Sequence, residues 1–163
     1  MILQRTLISD LEKYKKELSD TTLMPLKGRL KYDPKRGDMK RKITNWAVIE
    51  VQGDIDAYYR WFLKKEYGIE PHQPSWGPHI SVIRGETIPE KCKHLWAAHN
   101  NEIINMQVRP FIRFNNDTKP IDNHPNCSFW FLDIISPRIQ EIRDELGLYS
   151  KWNYHLTIGR MYI

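Results

Sequence analysis

Two short segments of this chain set an imidazole and a hydroxyl at the same spacing: His79-Ile80-Ser81-Val82-Ile83-Arg84 and His155-Leu156-Thr157-Ile158-Gly159-Arg160. Each reads His, apolar, hydroxyl, apolar, any residue, Arg. In an extended strand successive side chains alternate faces, so His79 and Ser81 share one face while Ile80 and Val82 share the other. His155 and Thr157 are related in the same way, with Leu156 and Ile158 opposite. If each strand buries its apolar face, two imidazoles and two hydroxyls are left to converge on one cleft. That set suits phosphodiester cleavage by general acid–base catalysis. An unperturbed imidazole titrates near roughly pH 6.5, so one ring can accept a proton from the attacking oxygen while the other donates to the leaving oxygen. Ser81 and Thr157 can donate hydrogen bonds to the non-bridging oxygens, where charge is held in the transition state. No metal, cofactor or carboxylate cluster is called for.

The pair of segments resembles the signature of the 2H phosphoesterases, a family that includes LigT-like RNA phosphodiesterases and phage anti-CBASS nucleases. That signature is two tetrapeptides of the form His, apolar, Ser or Thr, apolar, on central strands; here they are HISV and HLTI. The resemblance implies that His79 and His155 are catalytic and that Ser81 and Thr157 bind the phosphate. One such tetrapeptide carries little weight, because four loosely specified positions recur by chance. Two in one short chain, each extended by Arg at the same offset, carry much more. Outside the motifs the resemblance extends only to the order of elements, and the segment before Trp46 has no counterpart in it.

Strict alternation turns Arg84 and Arg160 away from their histidines, unless a bend or bulge near Gly85 or Gly159 re-aims them toward a phosphate. Bases stack on aromatic faces, and Trp76 and Trp152 each lie three residues before a motif histidine. Trp46, Arg109 and Arg113 fall on strand faces expected to line the same cleft or to meet solvent. Tyr154 alternates away from His155 and is expected in the core. Cys92 and Cys127 form neither a disulfide framework nor a zinc site, and Cys92, His94 and His99 match no zinc spacing. The expectation there is a packed Cys92 and two solvent-facing histidines. His72 and His124 sit among prolines in loops, away from any hydroxyl.

These side chains need a scaffold, and 163 residues suffice for one domain, 1–163, with 1–42 as an N-terminal extension. Its net charge of +5 favours polyanionic partners such as nucleotides and RNA. Charges run through MILQRTLISDLEKYKKEL, so the segment lacks the apolar core of a signal peptide, and no other stretch is apolar enough to span a bilayer. The expectation is a cytoplasmic protein, in a bacterial host cell if phage-encoded, with no membrane partner and no obligate protein partner. Residues 5–18 read as a helix, followed by the basic run 35–42, a solvated loop unless it borders the cleft. Residues 43–52 read as a strand. Asp54 then caps a helix through about Tyr67 with Ile55, Tyr58, Tyr59 and Phe62 along one side, ended by Gly68. After the proline-rich loop 71–78 and the first motif come a helix over 89–99 and an alternating stretch over 102–115. This stretch forms a hairpin with 128–135 through the polar loop 116–127. A helix opened by Ser136-Pro137, with Ile139, Ile142 and Leu146 inward, leads to the second motif.

The order repeats: strand, helix, motif strand, then hairpin, helix, motif strand. The expected fold is therefore α+β and two-lobed, 2H phosphoesterase-like, with pseudo-twofold symmetry, antiparallel sheets around a central cleft and helices outside. The expected activity is metal-independent hydrolysis of small cyclic nucleotides or oligonucleotides, as in phage enzymes that degrade immune second messengers. Opening of 2′,3′-cyclic phosphates or processing of 2′–5′ links in RNA is the alternative within the class. A nucleotide- or RNA-binding module without turnover is the alternative outside it.

Overall fold

A computed structural model describes residues 22–36, 42–117, 127–149 and 153–162. The expected helix over 5–18, most of the basic run, His124 and Trp152 lie outside the described residues. Seven strands form one antiparallel sheet: β1 (Met24–Tyr32), β2 (Trp46–Val51), β3 (His79–Arg84), β4 (Ile103–Val108), β5 (Arg113–Asp117), β6 (Cys127–Ile135) and β7 (Tyr154–Tyr162). From one end the order is β3, β2, β1, β4. Next comes β6, whose one edge takes β4 at Ile134 and Ile135 and β5 along Cys127–Phe131, while its other edge takes β7. The ends of this path, β3 and β7, lie against each other, so the sheet curls into a nearly closed barrel. Helix α1 (Ile55–Tyr67) links β2 to β3 and helix α2 (Pro137–Glu145) links β6 to β7. The α+β class is as expected, and the elements repeat as β2-α1-β3 and β6-α2-β7.

The core fills one face of the curl. Leu30, Ala47, Ile49, Ile80, Val82, Ile83, Leu132, Leu156 and Ile158 are completely buried, and each large aliphatic side chain removed from water contributes about 1.5–3 kcal/mol. Tyr154 is buried, as expected. Both helices end near glycines with positive φ, Gly68 directly after α1 and Gly147 just beyond Leu146 at the end of α2. No helix among the described residues is long and apolar enough to cross a membrane.

Four sequence expectations change. β1 occupies the middle of the sheet, between β2 and β4, in a segment expected to hold no element. Its alternation is clear in retrospect: Leu26, Leu30 and Tyr32 point inward, and Lys27 and Arg29 outward. Gly28 interrupts the apolar series because a Cβ there would come within 2.3 Å of Ile49 Cγ2 on β2. The stretch 102–115 is not one run but β4 and β5, which share an edge of β6 and are separated at Arg109–Ile112. The expected helix over 89–99 is a 3₁₀ helix, Glu90–Leu95, with no buried residue. Its apolar residues Cys92 and Leu95 are only partly buried against the core, and Trp96 turns extended to donate to Asp33 Oδ2 at 2.9 Å. On α1 the buried residues are Asp56, Tyr59 and Leu63, whereas Tyr58 is exposed.

Candidate active site

β3 and β7 come together on the open side of the barrel, and between them lies a cleft of about 280 Å³ lined by His79, Ser81, Arg84, Asn153, His155, Thr157 and Arg160. Both histidines, both hydroxyls and both motif arginines therefore meet in one place. The arginines reach it through a local fault in each strand. On β3, Ser81 pairs with Val48 and Ile83 with Ala47, leaving Val82 as an extra residue with no partner. On β7, Thr157 pairs with Phe131 and Gly159 with Trp130, leaving Ile158 extra. Each bulge shifts the alternation by one, so Val82 and Ile83 are both buried and Arg84 returns to the face of His79. Ile158 and Gly159 do the same for Arg160. The bulges fall at the fourth motif position, not at Gly85. Gly159 has another duty: a Cβ there would meet Pro71 Cβ at 2.6 Å.

The imidazoles are oriented by the backbone. His79 Nδ1 lies 2.9 Å from the Gly77 carbonyl, which can only accept, so Nδ1 carries the proton and Nε2 keeps its lone pair. The turn that offers this carbonyl is tight, with Trp76 at φ 62° and Gly77 at φ 80°. The backbone of Asn153 holds the ring of His155 from the same position, two residues upstream. Removal from water lowers the pKa of His79 below its usual value, opposed by the Gly77 hydrogen bond and reinforced by Arg36, Arg160 and Arg84. Removal from water also lowers that of His155, opposed by the Asn153 hydrogen bond and Asp133, and reinforced by Arg160 and Arg113. An anion in the cleft would offset these cations and favour protonated imidazole. Nε of Arg160 is buried with no hydrogen-bond partner among the described residues, a donor left for such an anion.

Of the other predicted contacts, the described ones, Trp46, Trp76, Arg109 and Arg113, are not among the residues that line this cleft. Trp46 is only 5% exposed, packed at the start of β2 across from Arg84. Trp76 is 44% exposed, and the guanidinium of Arg36 lies 5.8 Å from the Trp46 ring and 5.7 Å from the Trp76 ring, filling the space between them. Arg113 Nη1 donates to both carboxylate oxygens of Asp133, at 3.0 and 3.1 Å, and its guanidinium lies over Phe131. Arg109 is half-buried where β4 ends, its amide donating to the Asp133 carbonyl. His94 is exposed, but His99 does not simply face solvent: its Nε2 lies 2.6 Å from Glu145 Oε2. Cys92 is a free, half-buried thiol. The described residues contain no group of three or more His, Cys, Asp or Glu able to hold a metal ion.

Sequence reasoning missed three residues beside the histidines, Asn153, Phe131 and Asp133, and left a fourth, Arg36, in a basic run read as a solvated loop unless it borders the cleft. Asn153 lines the cleft, Arg36 adds charge near His79, and Phe131 and Asp133 flank His155 from β6. Phe131 meets the His155 ring edge-on at a centroid separation of 5.3 Å. The alternation of Phe129, Phe131 and Asp133 on the strand next to the second motif was the available signal. Comparison with family models, with curated proteins and with solved structures finds no match to this chain.

Proposed function

We propose that this protein is a metal-independent phosphodiesterase of the 2H type, with a two-lobed relationship between its halves, acting on small cyclic nucleotides or oligonucleotides. The observation that carries the reading is the shared cleft: two His–hydroxyl–Arg sets from separate strands line one space. Its volume of about 280 Å³ suits a phosphodiester with little more than one nucleoside enclosed, rather than a duplex. Ser81, Thr157, Arg84 and Arg160 take the non-bridging oxygens and stabilise the charge that develops on them. One imidazole removes the proton from the attacking water or ribose hydroxyl, and the other protonates the departing oxygen. Substrates in reach of this chemistry are cyclic oligonucleotide messengers, 2′,3′-cyclic phosphates and 2′–5′ linkages.

Incubation with 2′,3′-cyclic mononucleotides, cyclic dinucleotides, 2′–5′ oligoadenylate and short RNA, with product analysis, tests the proposal. Turnover that persists in EDTA is the expected result. Binding without products would identify a non-catalytic nucleotide-binding module, and activity lost on chelation and restored by zinc or magnesium would overturn the metal-free mechanism.

A further inference from the structure

The extra residue of each motif strand has its carbonyl held by an arginine from the helix of the opposite half. Helix α1 leads into β3 yet packs on β7, and α2 leads into β7 yet reaches β3. From α1, Arg60 Nη1 donates to the Ile158 carbonyl at 2.9 Å and to Asp56 Oδ2 at 2.6 Å. From α2, Arg143 Nη1 donates to the Val82 carbonyl at 2.8 Å and to Glu86 Oε1 at 2.6 Å. Val82 and Ile158 occupy the same motif position and are the two residues that the ladders skip. A bulge carbonyl that loses its ladder partner needs another donor once buried. Here that donor is a guanidinium whose own charge is compensated by a carboxylate, Asp56 being buried and Arg143 completely so.

We propose that Arg60 and Arg143 are positioning residues: by holding the carbonyls of Ile158 and Val82 they maintain the two bulges and so keep Arg160 and Arg84 turned into the cleft. Neither touches the reacting atoms. A bridge between the backbones of His72 and Arg160 secures β7 beyond its bulge, so the Arg60 contact is the one made at the extra residue itself. If a clamp fails, the strand returns to regular alternation and its motif arginine leaves the histidine face. The inference rests on the proposed phosphate chemistry only for the purpose of the arginines, not for their placement.

Histidine titration by NMR tests it without requiring turnover. The charged groups facing His79 are Arg36, Arg160, Arg84 and, across the ladder on β2, Glu50, and those facing His155 are Asp133, Arg160 and Arg113. Arg160 acts on both rings, Arg84 on His79 alone. Arg60→Met should therefore raise the midpoints of both histidines as Arg160→Met does, the double variant should go no further, and Arg60→Lys should restore most of the wild-type value. Glu86→Gln, which loosens the tether of Arg143 without removing that buried arginine, should raise His79 and leave His155 in place. A folded Arg60→Met protein with wild-type midpoints would overturn the clamp. If Arg60→Met does not fold, Glu86→Gln decides by the same criterion, with unchanged His79 overturning it. Titration with inorganic phosphate in the same samples separates the two proposals. Wild type that binds no phosphate would count against the phosphodiesterase reading, while the histidine shifts still decide the clamp.

Discussion

The charges that bear most on His79 are those of Arg36, Arg160 and Arg84, with Glu50 opposite on β2 and engaged by Arg36, whereas His155 has the carboxylate of Asp133 among its neighbours along with Arg160 and Arg113. The two motif strands thus carry equivalent side chains in unequal fields. A carboxylate near an imidazole favours its protonated form, and cations favour the neutral one. The asymmetry comes from the neighbouring strands: β6 places Asp133 opposite His155, while β2 places Glu50 opposite His79 with Arg36 at 4.0 Å from that carboxylate. A duplicated motif alone makes two like groups, but acid–base catalysis needs two unlike ones. In the proposed phosphodiesterase this difference fits His79 as the base and His155 as the acid.

That assignment is broken most sharply by removing the rings. His79→Ala and His155→Ala should each reduce turnover by about 10²–10⁴-fold on a natural phosphodiester. On a p-nitrophenyl phosphodiester, whose leaving group departs without a proton, His155→Ala should recover most of its activity and His79→Ala should not. Recovery by His79→Ala alone would reverse the roles. Loss of one hydroxyl donor is expected to cost about 10²-fold, in Ser81→Ala and Thr157→Ala alike, because both line the cleft at the same motif position. A large loss in one and none in the other, measured as kcat, would show that the halves do not share the phosphate.

Smaller effects sharpen the contrast between the fields. Asp133→Asn removes the carboxylate paired opposite His155 and the partner of Arg113, so the His155 midpoint should fall while that of His79 holds. Since both histidines are already lowered, the bell for kcat/KM in wild type should peak below pH 6.5. Asp133→Asn should move its alkaline limb further down and lower kcat/KM a few-fold at neutral pH. The smallest effect is on folding. With folded pKa values below the unfolded one, near roughly 6.5, the unfolded chain takes up protons first as pH falls. Stability contributed by the neutral rings is thus complete above that value and is lost as pH drops through the folded values. Urea midpoints should decline over that window, and His79→Ala should flatten part of the decline.

How legible the site was depended on the range of the signal. His79, Ser81, His155 and Thr157 could be picked out because they sit at fixed spacing within one strand each, and alternation is a local property. Arg84 and Arg160 resisted the same reasoning, since their placement depends on bulges at Val82 and Ile158 held by partners far along the chain. Trp46 illustrates a second limit. Its face of β2 alternates correctly, but burial on both sides of the sheet at that end makes Trp46, Ala47, Val48 and Ile49 one continuous buried run. β1 was hidden by its own content, a Pro at its second position and a Gly in its middle, the Gly required by the close approach of Ile49 on the neighbouring strand. Asp133 and Phe131 act on His155 across a strand pairing, and pairing is not written in either segment alone.

The central claim is that two halves build one site, and the double variant His79→Ala/His155→Ala tests it against the two single variants under single-turnover conditions. If both rings serve one transition state, the double variant should be scarcely slower than the slower single, because the second ring has nothing left to assist. Losses that multiply, each histidine contributing its full factor regardless of the other, would mean that the two motifs act independently and would contradict the account.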